Sequence, residues 1–235
     1  MNIIIINGSP RKNGTTAKIL HRMEECLLKK ENIAVEFINL IDLEVNSCSG
    51  CCSCYRTGHC YIEDDAEKLS KKISFADGLI IGSPTYASNL SGILKQFIDR
   101  GHFVIEQLLH DKYAISVVTG ENYGSRDTSK ILRKLLKYSG AKISGKIIYN
   151  VPFNSRLLDE KLEKKIYYLT NKMYVDINWK REYKIQTFVH KIIFQFGIKT
   201  FVKRKGEKYS GVLEKWKEQD IIKEAYIKKI SKKIQ

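Results

Sequence analysis

Five of the six cysteines crowd between residues 48 and 60. Cys48, Cys51, Cys54 and Cys60 are spaced C-x2-C-x2-C-x5-C, with Cys52 as a spare thiol and His59 inside the same run. Thiolates are soft ligands, and a [4Fe–4S] cluster takes one per iron. The quartet is equally the donor set of a tetrahedral structural zinc site. It differs from the bacterial ferredoxin pattern, because the last gap is five residues and Tyr61, not proline, follows Cys60. One quartet allows at most one cluster per chain. In a cytoplasmic chain such crowding points to metal or redox chemistry rather than to a disulfide framework. Cys26 stands alone and is expected to be a small buried hydrophobe.

Anion binding is the second chemistry, in the run Gly8-Ser9-Pro10-Arg11-Lys12-Asn13-Gly14-Thr15-Thr16. Free N–H groups at a helix start, reinforced by the helix dipole, attract negative charge. Ser9, Thr15 and Thr16 add hydroxyls, Arg11 adds a cation, and Gly8 and Gly14 permit close backbone approach. Hydroxyls without a dedicated lysine suit a phosphate monoester. The patterns G-x-x-x-x-G-K-[ST] and G-x-G-x-x-G are absent, which disfavours a triphosphatase and a standard dinucleotide domain. Two further loops are rich in glycine and hydroxyls: Gly82 to Asn89, and Thr119 to Gly124. A planar ring fits between such loops, with Tyr86 or Tyr123 over one face. No Ser/His/Asp set or carboxylate pair is visible, so no catalytic side chain is named. A redox cofactor needs none, because it carries the electron chemistry itself.

Elements that could position these loops alternate through residue 150. The spacing predicts strands at Asn2 to Ile6, Ile33 to Leu40, Gly78 to Ile81, Tyr113 to Val118 and Ile143 to Val151. Helices are predicted from Thr15 or Thr16 to about Lys30, after Asp64 and Asp65, from Ser91 to about Leu109, and over Asp127 to Tyr138. The implied fold class is α/β, a doubly wound five-stranded parallel sheet, for which 2-1-3-4-5 is the candidate order. All three polar loops then fall at the C-terminal edge of the sheet. Beyond residue 152 the strand signals fade. Leu158, Leu162, Ile166, Leu169 and Met173 make a helical stripe, a second helix is expected over about Gln186 to Val202, and a third near Leu213, continuing after a break from Ile221 to Ile234. The expected organisation is a domain over 1–152, with the cysteine loop at 48–60, and a basic helical extension over 153–235.

The 235 residues include 41 Lys+Arg and 26 Asp+Glu, a net charge of +15. Residues 1–150 hold 20 basic and 16 acidic side chains, net +4, and residues 151–235 hold 21 and 10, net +11. That excess raises the classes of nucleic-acid and anionic-membrane binder. No nucleic-acid motif accompanies it, so no nucleic-acid partner is expected. No run of 18 apolar residues occurs, so no membrane span is expected, and the start of the chain lacks the form of a signal peptide. Ile227, Ile230 and Ile234 alternate with lysines, as on a helix packed against the domain, a partner subunit or an anionic membrane.

The run Ile6 to Thr16, the cysteine cluster followed by Glu63-Asp64-Asp65, and Ile81-Gly82-Ser83-Pro84-Thr85-Tyr86 through Lys95-Gln96-Phe97-Ile98-Asp99-Arg100 resemble the NADPH-dependent FMN reductase family, within the flavodoxin-like superfamily. The resemblance is strongest to its iron–sulfur flavoprotein branch. It implies the flavodoxin-like order 2-1-3-4-5 and noncovalent FMN. The FMN phosphate would lie on Ser9, Arg11, Gly14, Thr15 and Thr16. Its ring would lie against Pro84, Thr85, Tyr86 and Asn89, with Thr119, Gly120 and Gly124 on the third loop. It implies NAD(P)H as co-substrate and one [4Fe–4S] cluster on Cys48, Cys51, Cys54 and Cys60, although similar loops in the family also occur with FMN alone. The expected function is a cytoplasmic FMN-dependent oxidoreductase, a homo-oligomer (dimer or tetramer). Its electrons would pass from NAD(P)H or a ferredoxin-like donor to a small-molecule or protein acceptor. The alternative is a flavin electron carrier or redox sensor whose basic tail binds a partner.

Overall fold

The computed structural model describes residues 1–151 and 158–222. Five strands form one parallel sheet: β1 (Asn2–Asn7), β2 (Ala34–Asn39), β3 (Gly78–Pro84), β4 (Tyr113–Gly120) and β5 (Lys142–Asn150). Their order is β2-β1-β3-β4-β5. The isoleucine run of β1 is central, pairing with β2 on one side and β3 on the other. Ile3 and Ile5 enter one core and Ile4 and Ile6 the other, as alternation across a strand requires.

Helices α1 (Thr15–Leu28), α2 (Ser53–Thr57), α3 (Asp65–Phe75), α4 (Gly92–Arg100), α5 (Ser125–Tyr138) and α6 (Glu160–Asn178) follow in chain order. One face of the sheet is covered by α3, α4 and α5 through Leu69, Ile73, Leu94, Phe97 and Leu132. The other is covered by α1 and α6 through Ile19, Leu20, Met23, Ile166 and Met173. The stripe predicted around Leu162 to Met173 is therefore a layer of the sheet. After it, α7 (Lys184–Ile192) leads into a separate, third core, built from a π-helical turn (Ile193–Ile198), α8 (Lys199–Lys205) and α9 (Ser210–Glu218).

Two expectations change. The helix from Ser91 stops at Arg100 rather than near Leu109. The Gly101 N–H closes on Phe97 O, His102 turns into the left-handed region at φ 50°, and Phe103 folds back edge-on to Phe97 at 5.5 Å. Burying Phe103 requires that reversal. The short helix α2 inside the cysteine loop was not signalled, being too brief for a periodic pattern. The Ile227, Ile230 and Ile234 stripe lies outside the described residues.

Candidate functional site

The three polar loops meet at the C-terminal edge of the sheet. The Gly8 N–H donates to Gly82 O at 2.8 Å, and Ser91 Oγ donates to Gly8 O. Thr16 and Thr119, 103 residues apart, join hydroxyls at 2.7 Å. The Thr85 N–H donates to Thr119 O at 2.7 Å, and Thr85 Oγ1 donates to Ser125 Oγ at 3.5 Å. Every predicted loop thus touches another.

At the first loop, Ser9 is buried, its N–H bonded to Asn7 Oδ1 and its Oγ accepting the Arg11 N–H, both at 3.1 Å. Arg11 itself is exposed. Helix α1 starts from Gly14 with no side-chain cap and no acidic residue in its first turn. Its first N–H groups thus face an anion site free of competing carboxylate, which fits the phosphate of FMN. Thr15 stands at that start, whereas the Thr16 hydroxyl is engaged by Thr119. At the second loop, Tyr86 and Asn89 exchange backbone hydrogen bonds at 3.0 and 2.9 Å, with Ala87 and Ser88 left-handed between them. That tight turn follows Pro84 and holds Tyr86 half-exposed. At the third, Gly124 is left-handed at φ 83°, a conformation that favours glycine, and it opens α5 beside Gly120. Tyr123 is exposed. Asn7, Ser91 and Ser125, which brace the loops, were not singled out from the sequence.

The cysteine loop is tied at both stems by one buried side chain. The Arg100 guanidinium pairs with Asp64 at 2.7 and 3.0 Å, both side chains having almost no exposure. It also donates to Asn46 O at 2.9 Å, before Cys48, and to Ile62 O at 3.2 Å, after Cys60. Burial pushes the Asp64 carboxyl up, but Arg100 and the N–H groups of Asn46 and Ala66 outweigh it and hold the carboxyl below its ordinary value. Phe97 followed by Arg100 was the available signal: a cation three residues on, on the apolar face of a helix, must find a buried anion.

Between those stems, Cys48, Cys51 and Cys52 are exposed, Cys54 and Cys60 are half-buried, and all six cysteines are free thiols. The Cys60 N–H donates to Glu67 Oε2 at 3.0 Å, and His59 Nδ1 bonds Glu67 Oε1 at 2.7 Å, so His59 is committed to a carboxylate. Burial, then the Glu106 carboxylate and the Cys60 and Cys51 thiols, push Cys54 up to about 12. A cationic centre shared by these thiols would relieve that repulsion, so the donor set suits a thiolate-bound metal centre. Among the described residues, no three His, Cys, Asp or Glu side chains converge on a single metal-ion position.

The third core sits on this loop. Tyr55 of α2 stacks on Tyr209 at 4.7 Å, Ser210 Oγ donates to Arg56 O at 2.8 Å, and Gly211 abuts Gly58. Trp216 is fully buried and donates to Ile105 O at 2.9 Å, and Lys215 pairs with Glu106 at 2.7 Å.

The model of the family described as NADPH-dependent FMN reductase matches residues 1–155, which span the sheet and all three loops. The chain belongs to that family. Similar to it is an iron–sulfur flavoprotein of Clostridioides difficile (strain 630), 32% identical over 94% of this chain and 100% of the relative. An iron–sulfur flavoprotein of Methanocaldococcus jannaschii is 44% identical over 43% of this chain and 51% of the relative. Among solved structures, an NADH:FMN oxidoreductase in its apo form superposes with a TM-score of 0.59 at 21% identity, covering 74% of this chain and 89% of that one. A flavodoxin from the domain Archaea superposes at 0.52 with 12% identity, over 76% and 99%. These two likenesses show the flavodoxin-like fold, and membership of the FMN reductase family supports FMN binding and an oxidoreductase function.

Proposed function

We propose that this FMN reductase family member takes electrons from NAD(P)H or a ferredoxin-like donor and passes them to a small-molecule or protein acceptor. The reading includes a [4Fe–4S] cluster on Cys48, Cys51, Cys54 and Cys60. The observation that carries it is the meeting of three hydrogen-bonded loops around an uncapped, carboxylate-free start of α1. Bound FMN supplies hydride and single-electron chemistry. The chain's residues bind and orient it. Ser9, Arg11, Gly14 and the α1 N–H groups hold the phosphate, and the Thr85 to Asn89 turn offers backbone and the Tyr86 ring to the flavin. The Thr16–Thr119 bond keeps the first and third loops in register. Arg100 and Asp64 hold both stems of the cysteine loop, so four thiols are presented from one anchored segment.

Anaerobic purification with a visible spectrum and iron, sulfide and zinc analysis tests this reading. Flavin absorbance that survives desalting, iron with equimolar sulfide, and NAD(P)H oxidation with a quinone or nitroaromatic acceptor are expected. Loss of flavin on desalting after reconstitution would sink the whole reading. Flavin without iron and sulfide would remove the cluster alone.

A further inference from the structure

Helices α7 and α8, with the π-helical turn between them, carry two apolar faces. Phe194, Ile198 and Val202 form the inner one, buried with Val212 and Trp216. Among the described residues the outer one has no cover: Ile185 is 81% exposed, Phe188 64%, Ile192 43% and Phe196 80%, and Trp179 at the preceding corner 81%. Spacings of three, four and four residues keep the four aliphatic and phenyl side chains on one side. A contiguous patch of this kind marks an interaction surface rather than scattered exposure.

Charge indicates what covers it. Residues 179–209 contain nine Lys+Arg and two Glu. Lys180, Lys184 and Lys191 are exposed among the apolar residues, and Lys203, Arg204 and Lys205 follow at the end of α8. On the adjoining flank Lys130, Arg133, Lys134 and Lys137 of α5 and Lys146 of β5 line a cleft with Gln186 of α7. A second copy seated face to face would set these cations against their own images. A bilayer with anionic lipids accepts both components: headgroups meet the lysines, while the phenyl, indole and aliphatic groups enter the acyl boundary. We propose that the outer face of α7 and the π-helical turn, flanked by the cations of α8, docks this protein on an anionic lipid surface. It lies in the interface, since no helix among the described residues is long and apolar enough to cross. This goes beyond the proposed redox function and depends on neither the flavin nor the cysteines.

Full-length protein is sedimented with phosphatidylcholine vesicles, with and without phosphatidylglycerol, at low and high salt. Binding to the anionic vesicles is expected, weakening with salt and accompanied by a blue shift of Trp179 emission. The doubly substituted Phe188→Ser, Phe196→Ser protein is expected to partition at least about tenfold less, from the transfer free energy of two phenyl rings. Both sites are exposed, so the fold is retained, as FMN reductase activity or circular dichroism will report. No binding at low salt overturns the proposal. Binding that is unchanged in the double variant also overturns it, since it reveals a charge-only polyanion face. Light scattering that shows an oligomer converted to monomer by the double variant overturns it in favour of a subunit contact.

Discussion

Replacing Gly211 by alanine tests whether the third core is seated on the cysteine loop. The added methyl would stand 2.1 Å from Gly58 N, 2.7 Å from Gly58 Cα and 2.8 Å from Thr57 C. All three are backbone atoms, so no side chain can swing away. Ordinary carbon contacts need about 3.5 Å, so α9 must retreat by more than about 1 Å. That retreat pulls at the Tyr55–Tyr209 stack and the Ser210–Arg56 bond. Overpacking of this sort costs about 1–3 kcal/mol, and a loosened aromatic pair roughly 0.5–1.5 more. Alanine's helix propensity offsets at most about 1 kcal/mol. A net loss of about 1–3 kcal/mol remains, which for a chain of this size lowers Tm by roughly 2–12 °C. Gly197→Ala is the control. Nothing lies within 4 Å of its added methyl, so only the propensity gain applies and Tm is expected to hold or rise. The assay is thermal unfolding of both variants, with tryptophan emission reporting the burial of Trp216. Gly211→Ala as stable as the parent protein would refute the close docking.

Arg11→Ala removes a cation beside the uncapped start of α1. It is expected to weaken FMN about 10- to 100-fold, the scale of a charge-assisted hydrogen bond, while riboflavin, which lacks the phosphate, is little affected; flavin fluorescence titration compares the two. Arg100→Gln leaves the Asp64 carboxylate buried without its ion partner. It is expected to cost about 3–5 kcal/mol in denaturant unfolding and to speed hydrogen exchange at both stems of the cysteine loop. Burial holds the imidazole of His110 below its ordinary value, and burial with neighbouring His110 does the same for His190. Both bind protons more readily when unfolded, so their contribution to stability is full above about pH 6.5 and declines as pH falls through that value toward the lower folded ones. His110→Gln is expected to flatten the fall in denaturant midpoint between pH 7.5 and 5.5, and an unchanged slope would count against the assignment.

Much of the fold was legible because its signals are local. A β-branched run before a glycine turn, a capping aspartate before Ala66, and stripes at helical spacing each report burial over a few residues. The cysteine spacing and the hydroxyl-rich loops are local in the same sense. The end of α4 was not legible, because the reversal after Arg100 serves a distant requirement, the burial of Phe103 against Phe97. The charge also changed meaning. Part of its C-terminal excess, first a question about nucleic acid, membrane or partner, lies among residues 179–209 beside an exposed aromatic face on α7 and the π-helical turn.

The sequence by itself determined which segments become strands, which loops are rich in glycine and hydroxyls or in thiols, and that the glycine- and hydroxyl-rich loops leave parallel strands at one edge. Only the tertiary structure decided how they are joined: Thr16 to Thr119 across 103 residues, Arg100 to both stems of the cysteine loop, and Gly211 against Gly58. The physical reason is that periodicity encodes what a residue buries, not what it meets. Partners are chosen by strand order and by how closely two backbones approach, and neither exists until the sheet has formed.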